Sequence, residues 1–428
     1  MKVAIIGIGR VGLVVAACLS EMGHDVTGVD LPPVVEALNR GRTRFFEPGL
    51  DEMVAKNVRA GHLRATTHLA DVADSQVIWI AIGTEQTSEG AMSITCIEHV
   101  VAELGRLCTS KTVIALKSTM PIGACRRMAE GLPVGGPLLT NNPEFLRQGS
   151  AIHDFFNPGK TVVGTGPRGG TELLARIYEP LPGPKIFTNW DTAEAIKLTQ
   201  NTFNALRISF MNELSLATEG MNISLEQVSN ALREDEAALR RYLNPGFSYG
   251  GSCLPNNVAY LSYLARCRGY AAPLLEAIKA VNDLRISHLA EKIVRELGGL
   301  EGRRVALWGL TYKADTDDLR NSPSVGFANT LLKRGARVLV SDPFLQAVQV
   351  EQFNYTYCQT AEGSLASADA LVALTRCPEF ASVPLGAITS TLDTRCIFDM
   401  VGALPQLQEE KLYRAYSLQA VQASSDRT

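Results

Sequence analysis

The chain opens on a short apolar run, Val3 to Ile6, that breaks at Gly7-Ile-Gly9-Arg-Val-Gly12 and resumes as a longer apolar stretch through Met22. The first run has the length of a buried strand and the second that of a helix. A second strand follows at His24–Asp30. Further apolar runs at Val77–Ile82, Thr112–Leu116 and Gly136–Leu139 read as strands, each leaving into a loop, with helical stretches between them. Strands alternating with helices predict a largely parallel sheet. From about Thr192 the period becomes helical, broken at Met221–Ser224 and in the glycine-rich segment 244–257. Gly298-Gly299 and Glu301-Gly302 then separate the last helix from a new buried strand, Arg304 to Gly309. Val338–Val340, Ala370–Leu374 and Cys396–Phe398 continue as strands of a second α/β unit. The tail after Leu412 carries no pattern.

The first break has a chemical reading. A GxGxxG leaving a β-branched strand, opening a helix and followed by an acid at the end of the next strand is a dinucleotide-binding fingerprint. Gly7 makes the turn, Gly9 admits a pyrophosphate, Gly12 packs helix on strand, and the helix start offers unpaired N–H groups to the phosphates. Arg10 and Val11 complete the turn. Asp30 would accept hydrogen bonds from the adenosine ribose and repel a 2′-phosphate; Leu31-Pro32-Pro33 supply no arginine to receive one, so the expected cofactor is NAD. The architecture expected is α/β: two Rossmann-like domains, 1–190 and 299–428, joined by a central all-helical dimerisation region, 191–298. Gly309–Pro323, the first loop of the second unit, lacks the glycines for a second dinucleotide.

Composition narrows the function. The 428 residues are 46% hydrophobic and 20% charged, with a net charge of −3, so no basic field is available for nucleic acid or anionic lipid. Nine scattered cysteines without CxxC pairs argue against a disulfide framework or a zinc cluster and fit a reducing cytoplasm. Arg10 interrupts the N-terminal apolar run, which therefore does not read as a signal peptide. No stretch approaches the roughly eighteen apolar residues of a membrane helix. The expectation is a soluble cytoplasmic protein with no metal, nucleic-acid or membrane partner.

Four groups of residues carry candidate chemistry. Strand ends put Gly83-Thr84 and Thr119 where ligands collect in open α/β sheets. Glu144, in Asn142-Pro-Glu-Phe-Leu146, reads equally as a solvated acid. Lys197 and Asn201, four apart, share one helix face: a snorkelling lysine, or two donors for an oxyanion. Cys253 sits in Asn244-Pro-Gly-Phe-Ser-Tyr-Gly-Gly-Ser-Cys-Leu-Pro-Asn256-Asn257, where flanking glycines let backbone approach a ligand. A thiol there is either a packing residue or a nucleophile.

This last loop resembles the active-site cysteine loop of the UDP-glucose/GDP-mannose dehydrogenase family. The resemblance extends along nearly the whole chain, through the fingerprint, Glu47-Pro-Gly-Leu50, Lys117-Ser-Thr119, Asn142–Leu146, Lys197-x-x-x-Asn201 and Thr316-Asp-Asp-Leu-Arg-x-Ser-Pro323. It implies oxidation of a primary alcohol of a nucleotide sugar to the acid with two NAD molecules. Hydride loss gives an aldehyde, Cys253 adds, and the thiohemiacetal becomes a thioester that water cleaves. Lys197 and Asn201 would stabilise the oxyanion, and Glu144 and Thr119 would handle water, near Asn257. Arg320 would reach the cofactor, as would Gly83 and Thr84. Substrate contacts implied are Phe145, Leu146, Arg147, Lys197 and Asn201, then Tyr242, Asn244, Phe247, Tyr249, Gly250 and Lys313. The family also implies a homodimer through the central helices.

Several positions depart from the family. Asn256 and Asn257 stand where it has lysine and aspartate, Asn244 where GDP-mannose dehydrogenases have arginine, and Gln148 where glutamate is common. Replacement cations for the diphosphate would be Arg147, Lys160, Arg240 or Arg241. Phe398-Asp-Met-Val-Gly402 is more similar to the GDP-mannose branch than to the UDP-glucose branch. The lost charges also raise a two-electron dehydrogenase or reductase on another anionic substrate, and a non-catalytic NAD-binding protein is a third reading.

Overall fold

The N-terminal run forms the strand Lys2–Ile6, buried on both faces inside an eight-stranded sheet. The computed structural model describes residues 1–235, 242–243, 246–392, 396–407 and the short strand Arg414–Ala415. The chain divides into two units, Met1–Gln200 and Asn201–Thr428, with the division inside the long helix Trp190–Ala217.

In the first unit the strands lie in the order Lys185–Asn189, Thr161–Thr165, Leu138–Asn141, Val113–Leu116, Val77–Ile80, Lys2–Ile6, Asp25–Val29, Leu63–Thr66. All pairs are parallel except Leu138–Asn141 with Thr161–Thr165. Strand order reverses between Lys2–Ile6 and Val77–Ile80, which opens a crevice at their carboxyl ends. The helix Arg10–Glu21 buries every position from Gly12 to Ser20. It is apolar all round because sheet and neighbouring helices enclose it. Three strands, Leu63–Thr66, Thr161–Thr165 and Lys185–Asn189, extend the expected sheet at its two sides.

The second unit carries the helices Leu225–Asp235, Cys253–Cys267 and Pro273–Leu297 and a parallel six-stranded sheet. Its strands run Thr356–Tyr357, Arg337–Ser341, Arg304–Trp308, Ala370–Ala373, Ile397–Asp399, Arg414–Ala415. The helix Pro273–Leu297 starts on a proline and stops at Gly298, whose left-handed φ of 67° favours glycine. Asp342 ends the second strand of this sheet as Asp30 does in the first. Here the acid is buried, and its Oδ2 accepts from the N–H groups of Leu310 at 2.8 Å and Thr311 at 3.1 Å. Burial pushes its carboxyl upward. Asp30 accepts similar loop bonds but stays partly exposed, whereas burial closes Asp342 off from a ribose.

Candidate active site

In the glycine turn, a Cβ on Gly12 would lie 1.8 Å from the Gly7 carbonyl oxygen, and one on Gly7, at φ +86°, would lie 2.9 Å from Ile82 N. Neither position has room for a side chain. Gly9 faces open space, with nothing within 4 Å of a Cβ placed there. The helix that follows has no side-chain cap and no acid in its first turn, so its N–H groups remain for an anion. Asp30 accepts from Ile8 N and Leu31 N, both at 2.7 Å, which ties the turn to the next strand. This cradle fits NAD, whose phosphates the helix start and whose adenosine ribose Asp30 would hold. Arg42 and Arg44 line the same pocket as Asp30, with Ile8, Gly9 and Phe45, although no arginine follows Asp30 directly. Arg10 stacks on Phe45 at 5.2 Å.

Lys117 lies at the end of its strand and is almost wholly buried. Its Nζ donates to Asn142 Oδ1 at 3.0 Å and to Tyr178 Oη at 3.3 Å. Asn142 Oδ1 also accepts from Trp79 Nε1 at 3.0 Å and Tyr178 Oη at 2.7 Å. Burial pushes the Lys117 ammonium down to about 8, partly offset by Glu144 and reinforced by Lys197. Nothing in the spacing of Trp79, Lys117, Asn142 and Tyr178 signals this cluster.

Two residues beyond Asn142, Glu144 is buried rather than solvated. Its Oε1 accepts from Lys197 Nζ at 2.9 Å and its Oε2 from Leu146 N at 2.6 Å. Lys197 and Lys160 both face the Phe145 ring, at 5.3 and 4.9 Å. Lys160 is pushed down by burial and by Lys197. Arg147 by contrast gives Nε and Nη2 to Asp154, at 2.8 and 2.5 Å, so its fork is already occupied. Thr119 is half-buried, and Asn201, one helical turn beyond Lys197, is buried with Nδ2 lacking a protein partner.

In the second unit, Cys253 is an exposed thiol at the first residue of its helix, with Ser252 Oγ 3.8 Å from Sγ. That end of a helix attracts negative charge. Asn257, one turn on, is buried and its Nδ2 has no partner. The preceding loop is packed on the segment around Tyr312 and Asn321. A Cβ on Gly250 would meet Asn321 O and Pro323 Cδ at 2.5 Å, and one on Gly251 would meet the Tyr312 ring at 2.9 Å. Arg320 is gripped by Asp318, Nη2 to Oδ2 at 2.7 Å. It is pushed above the ordinary arginine range, by those hydrogen bonds first, with a smaller contribution from Cys253. Phe247 is a core residue, edge-on to Phe327 at 5.2 Å. Tyr249 packs among Ala205, Val258 and Ile278. Tyr242 holds φ 65° and faces Arg207, whose guanidinium lies 5.7 Å from its ring. Lys313 lies over Tyr312 at 5.8 Å. Asn244, Arg240 and Arg241 fall outside the described residues.

The first unit thus holds a dinucleotide cradle of the kind that NAD-dependent oxidoreductases carry, and the second, by itself, an exposed thiol on a helix start, a candidate nucleophile. Residues 1–182 match the NAD binding domain of the UDP-glucose/GDP-mannose dehydrogenase family, 191–284 its central domain and 306–406 its UDP binding domain. The chain belongs to this family of NAD-dependent nucleotide-sugar dehydrogenases. It is 33% identical to the UDP-glucose 6-dehydrogenase YwqF of Bacillus subtilis, over 93% of each chain. It is 32% identical to the GDP-mannose 6-dehydrogenase of Pseudomonas savastanoi pv. phaseolicola, over 84% of this chain and 85% of that one. The structure of a UDP-glucose dehydrogenase from Pyrobaculum islandicum superposes with a TM-score of 0.88 at 30% identity, covering 98% of both chains. Such similar identities do not separate the two branches. The alternative of a two-electron enzyme on another anionic substrate finds no support in these relatives.

Proposed function

We propose that this protein oxidises the primary alcohol of a nucleotide sugar to the uronic acid, consuming two NAD and one water per sugar. NAD bound at Gly7–Gly12 and Asp30 supplies the hydride acceptor, with Gly83, Thr84, Thr119 and Arg320 as further contacts. Loss of one hydride and one proton from the alcohol leaves an aldehyde. The Cys253 sulfur adds to its carbonyl carbon, and the resulting thiohemiacetal loses a second hydride and proton to become a thioester. Water then breaks the C–S bond, releasing the acid and restoring the thiol. Covalent capture retains the aldehyde and splits one difficult oxidation into easier steps.

Lys197 and Asn201 act as donors to the oxyanion, a role for which a single well-placed donor is worth about 3 kcal/mol. Glu144, the one carboxylate of this set, takes the proton of the hydrolytic water, with Thr119 orienting it. Asn257 can hold that water but cannot accept its proton. The observation that carries the reading is the exposed Cys253 at the start of its helix in a loop with no space for side chains at Gly250 and Gly251.

Substrate recognition falls to Phe145, Leu146, Lys197 and Asn201 for the sugar and to Tyr242, Asn244, Tyr249, Gly250 and Lys313 for the remainder. The domain at 299–428, which contains the match to a UDP binding domain, takes the nucleotide. Lys160, half-buried beside Lys197, supplies a cation in place of the fork Arg147 has given to Asp154. A homodimer is supported by the exposed Phe203 and Phe210, two turns apart on the helix Trp190–Ala217, together with Leu274 and Leu284. Equilibrium sedimentation returning a monomer would remove that part. Nine cysteines with no disulfide among the described residues favour a cytoplasmic setting.

The test is NADH formed per sugar consumed across GDP-, UDP- and dTDP-hexoses, in wild type and Cys253→Ala. Two NADH per sugar, abolished in the variant, is the expected result. No turnover of any nucleotide sugar despite NAD binding would refute the reading, and the preferred base would decide between the UDP-glucose and GDP-mannose branches.

A further inference from the structure

We infer that Arg285 is a positioning residue for this reaction: together with Asn212 and Asn282 it clamps the backbone of the loop before Cys253, so that helices set where the thiol stands. The inference rests on the cysteine route proposed above.

Arg285 is fully buried on the helix Pro273–Leu297, and no carboxylate among the described residues pairs with it. Burial alone pushes it down to about 10. An uncompensated buried cation costs stability, and an apolar side chain of similar size would pack there at lower cost. What the guanidinium does make is specific. Nε donates to the Gly246 carbonyl at 2.6 Å and Nη1 to the backbone carbonyl of Asn212 at 3.1 Å. Asn212 in turn accepts from Gly246 N, through Oδ1 at 2.8 Å. Both backbone polar groups of Gly246 are therefore held by side chains of two different helices.

The same holds three residues on. Asn282, one turn before Arg285 on the same helix, accepts from Tyr249 N at 2.9 Å and donates to Tyr249 O at 3.1 Å. Ser248 Oγ donates to Asn282 Oδ1 at 2.6 Å. A side-chain amide that satisfies both the N–H and the C=O of one residue replaces a strand partner, giving irregular backbone the fixed register of a sheet. Only Gly250, Gly251 and Ser252 separate this anchor from Cys253, and Asn321 Nδ2 fixes the Gly251 carbonyl at 3.2 Å. Movement at Gly246 or Tyr249 has no slack in which to dissipate before it reaches the sulfur.

The full-length Arg285→Met, Arg285→Lys and Asn282→Ala variants test this through two readouts. The first is iodoacetamide alkylation of Cys253 followed by peptide mass spectrometry, with the exposed Cys96 and Cys267 in the same sample as references. The second is the rate of NADH formation. A Cys253 alkylation rate altered about tenfold against unchanged references, with kcat falling by a similar factor, is the size expected from losing a charged hydrogen bond. KM for NAD should stay put, and millimolar guanidinium should restore part of the Arg285→Met activity. If the variants lose thermal stability yet keep Cys253 alkylation and kcat within about twofold of wild type, Arg285 is only a structural residue and the inference fails. Should Arg285→Met not fold, Arg285→Lys and Asn282→Ala carry the same two readouts. Turnover surviving in Cys253→Ala would instead defeat the cysteine route, while the alkylation readout would still report on the clamp.

Discussion

Lys197 Nζ and Glu144 Oε1 lie 2.9 Å apart with side-chain exposures of only 5% and 9%. Neither ion can lose its partner cheaply, because the survivor would remain charged and out of water. Glu144→Gln or Lys197→Met should each destabilise the protein by about 3–5 kcal/mol, whereas the double change Glu144→Leu with Lys197→Met should cost much less than the sum. A double-mutant cycle by urea unfolding measures this; additive losses would mean that the two ions do not depend on each other. Both single variants should also lose kcat, roughly a hundredfold or more for Lys197→Met as an oxyanion donor.

Lys117 gives a stability signature with a definite sign. Burial lowers its folded value from 10.5 to about 8, so between these pH values the unfolded chain binds the extra proton and the native state does not. Stability from this group therefore rises with pH across that window, and below it the buried charge is a constant cost on the order of 3 kcal/mol. Lys117→Met should be more stable than wild type at pH 7, and the advantage should shrink as pH rises from 8 towards 10.5. Urea midpoints for the two proteins across this range supply the check; a pH-independent difference would contradict the assignment.

The glycines of the cofactor turn separate folding from binding. A methyl on Gly9 meets nothing, while one on Gly12 would collide with the Gly7 carbonyl at 1.8 Å. Gly9→Ala should keep the wild-type melting temperature yet weaken NAD binding by about tenfold or more, because the methyl takes the space meant for the pyrophosphate. Gly12→Ala should unfold several degrees lower even without cofactor. Calorimetric melting and NADH titration together would show the contrast, and equal melting points for the two variants would oppose it.

What the sequence revealed follows from how local each signal is. The fingerprint was legible because turn, helix start and Asp30 are fixed by short-range spacing, and the buried runs at Val77 and Arg304 because central strands are apolar throughout. Lys185–Asn189, half-exposed at the sheet edge, and the four-residue Leu63–Thr66 lack that signal. Arg42 and Arg44 reach the Asp30 pocket through the fold, not through any pattern. Arg285 and Asn282 are polar residues in a helical stretch that no local pattern marks as buried, yet both are buried because the cysteine loop passes over them. Glu144 was legible as a position but not as an ion pair, since its partner lies 53 residues away.

Asn257 offers the sharpest test of how the last chemical step is run. It lies one turn beyond Cys253, is 2% exposed, and its Nδ2 makes no hydrogen bond. Without a base at this position hydrolysis of the thioester should be the slow step, so an acyl adduct on Cys253 should accumulate after a burst of NADH. Asn257→Asp places a carboxyl in a site that removes it from water, which raises its value and confines its action as a base to the higher end of the pH range. The variant should accumulate less adduct than wild type, with the gain growing as pH rises and that carboxyl ionises. Rapid quench followed by intact-protein mass spectrometry at pH 6 and pH 9 measures the adduct directly. Equal adduct in both proteins at both pH values would show that the residue one turn below the thiol takes no part in hydrolysis, and would leave Glu144 as the only carboxylate of the proposed set to act on the water.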